Sequence, residues 1–297
     1  MDTSHCCRRI LVLLGGLLLW AALLPAAFAM PAIQHWITDN GARVYFVPAP
    51  ELPMVDVNIT FAAGSVRDDG QAGLAHMTST LLDMGAAGLS ADEIARRGES
   101  LGAELSTGSA RDTAWVKLRS LSDAAHLQPA LALMADIINR PDFNKADFER
   151  ERERTLVAIR RSEQSPGTVA AYTFFNQTYG DHPYAPRPSG TVESIAAIKL
   201  GELKKFYTRY YVARNAVVSI VGDLDRKAAE KLVNQVIGKL PAGERAAAVP
   251  PVPQLKSAQE QRIFHPSAQT HVRMGAPGMH RGDPDYFPLY VGNHVLG

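Results

Sequence analysis

Residues 73–85, GLAHMTSTLLDMG, hold side chains at the spacing of a hydrolytic metal site. In the inverted zinc motif H-x-x-E-H, two histidines one helical turn apart bind the metal, and the glutamate activates its water. His76 stands at the first position, Ser79 at the place of the glutamate and Thr80 at the place of the second histidine. A hydrolytic zinc needs three protein ligands and an open position for water, which one imidazole does not supply. A serine hydroxyl titrates far above neutral pH and is no general base there. His126 and His182 have no ligand-like spacing to His76. A later, highly charged helix carries Glu153 and Glu163. Ser79 and Thr80 have no neighbouring base to make either a nucleophile. The residues therefore predict a hydrogen-bonded polar histidine in a cleft and no metal in this chain.

The elements that must hold these residues are legible from periodicity. Leu74, Met77, Leu81 and Met84 recur at helical spacing, predicting a helix across 73–85 with one stripe in a core. Before it, 34–38 and 43–47 flank Asn40-Gly41 and predict a hairpin whose turn takes positive φ. Val55, Val57, Ile59 and Phe61 alternate as in a strand. Ser90 and Glu93 form a capping box for a helix ending near 101–102, and 103–109 and 113–120 read as strands. Ser122 or Asp123 opens a helix through Ile138, stopped by Pro141. Residues 143–164 form a second helix whose Arg/Glu alternation predicts a solvated face. Short helices at 168–179, 194–197 and 200–211, a strand at 216–221 and a helix at 225–237 follow. Residues 241–256 form a proline-rich linker. Beyond it, 257–297 read as the start of a second, similar unit, with a strand at 270–274 and a helix at 286–296.

Composition bounds the partners. The net charge of +1 over 297 residues offers no basic surface for nucleic acid. Residues 1–29 read as a signal peptide: Arg8-Arg9, an apolar run over 10–24 too short for a stable membrane anchor, and Ala27-Phe28-Ala29 before the cleavage point. Both cysteines, Cys6 and Cys7, lie inside it. Cleavage near Ala29 predicts a periplasmic or secreted protein of residues 30 onward that needs no disulfide.

Four separated segments carry a resemblance: AAGSVRDDGQAGLAHMTSTLLDMG, FERERERTLVAIRRSEQSP, HPYAPRPSGT and YYVARNAVVSIVGDLD. In their order and distances they resemble the pitrilysin/insulinase family of zinc metallopeptidases. The resemblance implies an α+β fold: a mixed, antiparallel-rich sheet backed by helices, complete over 30–240 and begun again in 257–297. It implies that the third zinc ligand, a glutamate in the family, would stand at Ala158. Two of three ligands and the catalytic base would then be missing, leaving His76, Ser79, Thr80 and Ala158 as degenerate positions. It further implies an edge strand, Ala103, Glu104, Leu105, Ser106 and Thr107, that pairs with extended peptide. The expected role is a catalytically inactive subunit of an exported peptidase, closing a peptide chamber beside a zinc-bearing paralogous partner. A scaffold with no part in proteolysis, and an active peptidase with unusual ligands, are the alternatives.

Overall fold

The computed structural model describes residues 32–296, so the predicted signal peptide and both cysteines lie outside the described residues. A six-stranded sheet has the order β1-β2-β8-β3-β7-β6. Its strands are β1 (Gln34–Ile37), β2 (Arg43–Pro48), β3 (Met54–Phe61), β6 (Glu104–Ser109), β7 (Ala114–Leu121) and β8 (Ala216–Gly222). Every neighbouring pair is antiparallel except β2 with β8. A separate two-stranded ribbon joins β4 (Gly85–Ala86) to β5 (Leu89–Ser90).

The alternation in β3 sets the layers. Val57 lies between Leu118 and Ile220, and Ile59 between Val116 and Val218, all essentially buried. The intervening side chains take the opposite face, where the Arg119 guanidinium grips the Asp56 carboxylate at 2.7 and 3.1 Å. Period-two side chains sort to opposite faces, so one face needs a helical cover and the other does not.

That cover comes from α1 (Leu74–Thr80), α3 (Ala124–Asn139) and α8 (Arg226–Ile237), each in contact with strands of the sheet. The remaining helices are α2 (Ala91–Ser100), α4 (Lys145–Glu163), α5 (Pro166–Tyr179), α6 (Val192–Ala197), α7 (Leu200–Tyr210) and α9 (Tyr286–Leu296). Four helix starts are side-chain capped, those at Ser90 and Asp123 as the sequence predicts. Ser90 and Glu93 close a capping box on α2, and Asp123, Asn144 and Asp225 accept first-turn N–H groups of α3, α4 and α8. The architecture is the α+β arrangement expected. No helix among the described residues is long and apolar enough to cross a membrane.

Local expectations fail where tertiary contacts decide. The helix predicted across 73–85 ends at Thr80, and Gly85 instead enters the ribbon and accepts from the Asp142 N–H. Leu81 and Leu82 remain buried outside the helix, because an apolar stripe marks burial and does not fix the backbone that delivers it. In the first hairpin only Gly41 takes positive φ, 95°. Asn40 serves tertiary structure, its amide donating to the Ile237 and Leu240 carbonyls at 2.8 and 3.2 Å. Pro166 begins α5 where it was expected to precede it, because the first helical position has no use for an N–H. The edge strand begins at Glu104, one residue after the predicted start. Residues 270–274 form no strand: Val272 and Met274 are 78% and 95% exposed, with no described strand beside them. The helix at Tyr286–Leu296 is present.

Candidate functional site: a cleft at the degenerate zinc position

The short helix α1 owes its start to one buried carboxylate. Gly73, at its N-terminus, has φ 96° and no capping side chain of its own. A Cβ there would lie 2.5 Å from Ile195 Cδ1, so the position admits only glycine without rearrangement. Asp68 reaches across from the preceding loop, and its two carboxylate oxygens accept the Gly73 and Ala75 N–H groups at 2.8 Å each. Burial nonetheless pushes the Asp68 carboxyl up to about 7, outweighing the backbone donors from Ala75, Gly73 and Leu74 that pull it down.

Held in this way, α1 buries Leu74, Ala75, Met77 and Thr78 and turns His76 and Thr80 outward, one turn apart. Helix α4 lies opposite. Glu151, Thr155, Ala158 and Ser162 recur at three to four residues along it and face the same space. His76, Thr80 and Ala158 thus line one cleft of about 460 Å³. The three positions that resemblance assigns to metal ligands are brought together. Ser79, at the base position, is not: it is 1% exposed, and its hydroxyl donates to the His76 carbonyl of its own helix at 2.9 Å.

The residues at these positions do not fit a catalytic zinc. Ala158 has no donor atom, and Thr80 offers a neutral hydroxyl in place of an imidazole. Burial holds the His76 imidazole below its ordinary value, so it is neutral at pH 7. Among the described residues no group of three or more His, Cys, Asp or Glu is placed to hold a metal. The other candidates are engaged elsewhere. His126 sits 2.8 Å from Asp123, Glu163 accepts from Arg187 at 3.0 Å, and His182 lies 2.9 Å from the Pro250 carbonyl.

One buried charge escaped the sequence reading. Glu151 is 4% exposed on a helix predicted to show only a solvated face. It accepts from Arg150 Nε at 3.3 Å and Arg154 Nη1 at 3.1 Å, which supplies the pairing a buried carboxylate requires. The missed signal was spacing: Glu151 lies seven residues before Ala158, two helical turns and so the same face. Beside it, burial raises the Asp83 carboxyl, the Asp83 N–H and Thr107 hydroxyl lower it, and the Glu151 charge raises it further. Thr107 belongs to β6, so these groups connect the cleft to the sheet edge.

Strand β6 is the outermost strand of its sheet, paired only with β7 among the described residues. Ala103, Glu104, Leu105 and Ser106 line a second cleft, of about 940 Å³, between β6, α2 and α4. Arg154 lines both clefts. The 181–190 loop braces the nearby β6–β7 turn. Arg111 Nε donates to the Tyr184 carbonyl at 3.1 Å, and the Tyr184 hydroxyl donates to Asp112 at 2.7 Å.

Comparison with known proteins agrees with this geometry. Residues 43–187 match the family model described as insulinase, peptidase family M16, and residues 197–297 match that of the peptidase M16 inactive domain. The chain belongs to the M16 family. It is 28% identical over 222 residues to the zinc protease PqqE of Helicobacter pylori, covering 73% of this chain and 50% of that one. It is 26% identical over 227 residues to the non-peptidase homolog YmxG of the same organism, covering 76% and 52%. Among solved structures, a peptidase M16 inactive domain from Pseudomonas fluorescens aligns with TM-score 0.81 at 35% identity, over 90% of this chain and 64% of that one. The chain spans about half to two thirds of the length of the curated relatives it matches. Against the spacing of H-x-x-E-H, this M16 member has His76 followed by Ser79 and Thr80.

Proposed function

We propose that this chain is an exported, catalytically incompetent M16 subunit that lends peptide-binding walls to a zinc-bearing paralogous partner and helps close a chamber around the peptide. One observation carries the reading. The degenerate ligand positions line one cleft, and that cleft shares the Arg154 side chain as a wall with the cleft along the open edge of β6. The scaffold that presents a peptide to a metal is kept, while the donors that would hold the metal are not. Strand addition to β6 uses backbone N–H and C=O groups and is indifferent to the loss of zinc ligands. The relative named as a non-peptidase homolog supports a role of this kind within the family. Residues 1–29 support export. Zinc in the partner would supply the activated water.

The test is reconstitution. Purified alone, the chain should hold no stoichiometric zinc and cleave no quenched fluorescent peptide. Cleavage should appear, or rise at least several-fold, when a paralogue with an intact H-x-x-E-H is added. One tightly held zinc per chain with chelator-sensitive cleavage by the chain alone would falsify the proposal. Stable association with no gain in cleavage would replace it with a scaffold role.

A further inference from the structure

We propose that the cleft between α1 and α4 is a pocket for the C-terminal carboxylate of a peptide, anchored by Arg154. The inference rests on the peptide-binding role of β6 and adds which end of the peptide is held and by what.

The geometry begins with Arg154. Its side chain is 70% exposed and forms part of the wall of both clefts. Nη1 is committed to Glu151, 3.1 Å from Oε1 and 3.4 Å from Oε2, while Nε and Nη2 donate to no other described residue. Glu151 is itself fixed by burial and by Arg150 Nε at 3.3 Å. The guanidinium is therefore oriented by one edge and left with donors free on another. A planar fork of N–H donors fits a carboxylate, which accepts on both oxygens.

The rest of the pocket suits the same group. Thr80, Tyr172 and Ser189 line it, and their hydroxyls bond to no other described residue. Thr155 and Ser162 are already used, donating to Met77 Sδ at 3.5 Å and to the Ile159 carbonyl at 2.7 Å. Short side chains at Thr80 and Ala158 leave about 460 Å³ at the position where the family motif has bulky ligands. Among the lining residues the one carboxylate, Glu151, is paired with Arg150 and Arg154.

Continuity with β6 selects a peptide over a free anion. A chain laid along Glu104–Ser106 occupies the larger cleft, and Arg154 is the wall residue that this cleft shares with the smaller one. An extended segment therefore reaches the guanidinium with its terminus and keeps its backbone on the strand. Because Glu151 balances the charge of Arg154, recognition depends on directed hydrogen bonds more than on net charge.

Fluorescence anisotropy on the full chain tests this. The probe is an amino-terminally labelled octapeptide of alternating valine and threonine, prepared as the free acid and as the carboxamide. The acid should bind about tenfold more tightly, as expected for loss of charge-assisted hydrogen bonds. Arg154→Ala should remove the preference by weakening the acid several-fold more than the amide, and Arg154→Lys should restore part of it. Circular dichroism of each variant checks that it is folded. Equal binding of acid and amide to the unmodified chain overturns the pocket and leaves peptide capture by β6 standing. An acid preference that persists in folded Arg154→Ala overturns the role of Arg154. Failure of both peptides to bind overturns the pocket and the peptide-binding reading together.

Discussion

Replacing Asp68 with asparagine should destabilise the protein in mild acid and cease to do so in mild base. At pH 5 the carboxyl, raised to about 7, is protonated in the fold. Its oxygens still face the Gly73 and Ala75 N–H groups at 2.8 Å. An asparagine presents one oxygen and one NH2 group, so one of those buried N–H groups meets a donor. Leaving a buried donor unsatisfied costs about 1–3 kcal/mol. The pH dependence runs the other way. Between 3.8 and about 7 the unfolded chain has released the Asp68 proton and the native state retains it. Stability from this group therefore falls as pH rises through that window. The rise from 3.8 to about 7 corresponds to about 4 kcal/mol in favour of the protonated form. Asp68→Asn lacks this slope, and subtracting variant from unmodified protein cancels most other titrations, that of Asp83 included. Urea unfolding at pH 5 and pH 8 reads the difference at constant m value. The expected result is a loss of about 1–3 kcal/mol at pH 5 that disappears or reverses by pH 8. A penalty of the same size at both pH values would show that the carboxylate is ionised throughout, with the helix N–H donors outweighing burial.

Two further substitutions examine the geometry of the cleft. Because His76, Thr80 and Ala158 line one space, the double variant Thr80→His, Ala158→Glu should bind one zinc by calorimetry. Zinc at a hundred times its dissociation constant should then stabilise that variant by about 2.7 kcal/mol. A folded variant that binds none would show that the three positions do not converge. Gly73→Ala places a Cβ at φ 96° and 2.5 Å from Ile195 Cδ1. It should cost about 1–3 kcal/mol, seen as a lower thermal midpoint, and an unchanged midpoint would contradict the tight approach of α1 to α6.

Much of the framework was open to inspection in the chain. Val55, Val57, Ile59 and Phe61 announce a half-buried strand because side-chain direction in a strand depends only on parity. Ser90 and Asp123 announce helix starts because a cap is satisfied within three residues. The spacing of His76 and Thr80, four residues apart, already placed them one helical turn apart on a single face. Where the reading failed, the deciding partner lay far along the chain. Residues 270–274 alternate like a strand but have no described neighbour to pair with, and pairing defines a strand.

Sequence by itself determined which atoms the motif helix carries: one imidazole at His76 and hydroxyls at Ser79 and Thr80. Tertiary structure alone decided what surrounds them. Glu151 reads as one more charge in an Arg/Glu helix until α1 packs across α4 and buries it, and Arg154 is unremarkable until two clefts share it as a wall. Asp68, five residues before the Gly73 that begins α1, is a loop acid until the fold closes over it. The physical reason is common to Glu151 and Asp68. Burial is a property of everything packed around a group, and no local run of residues encodes it.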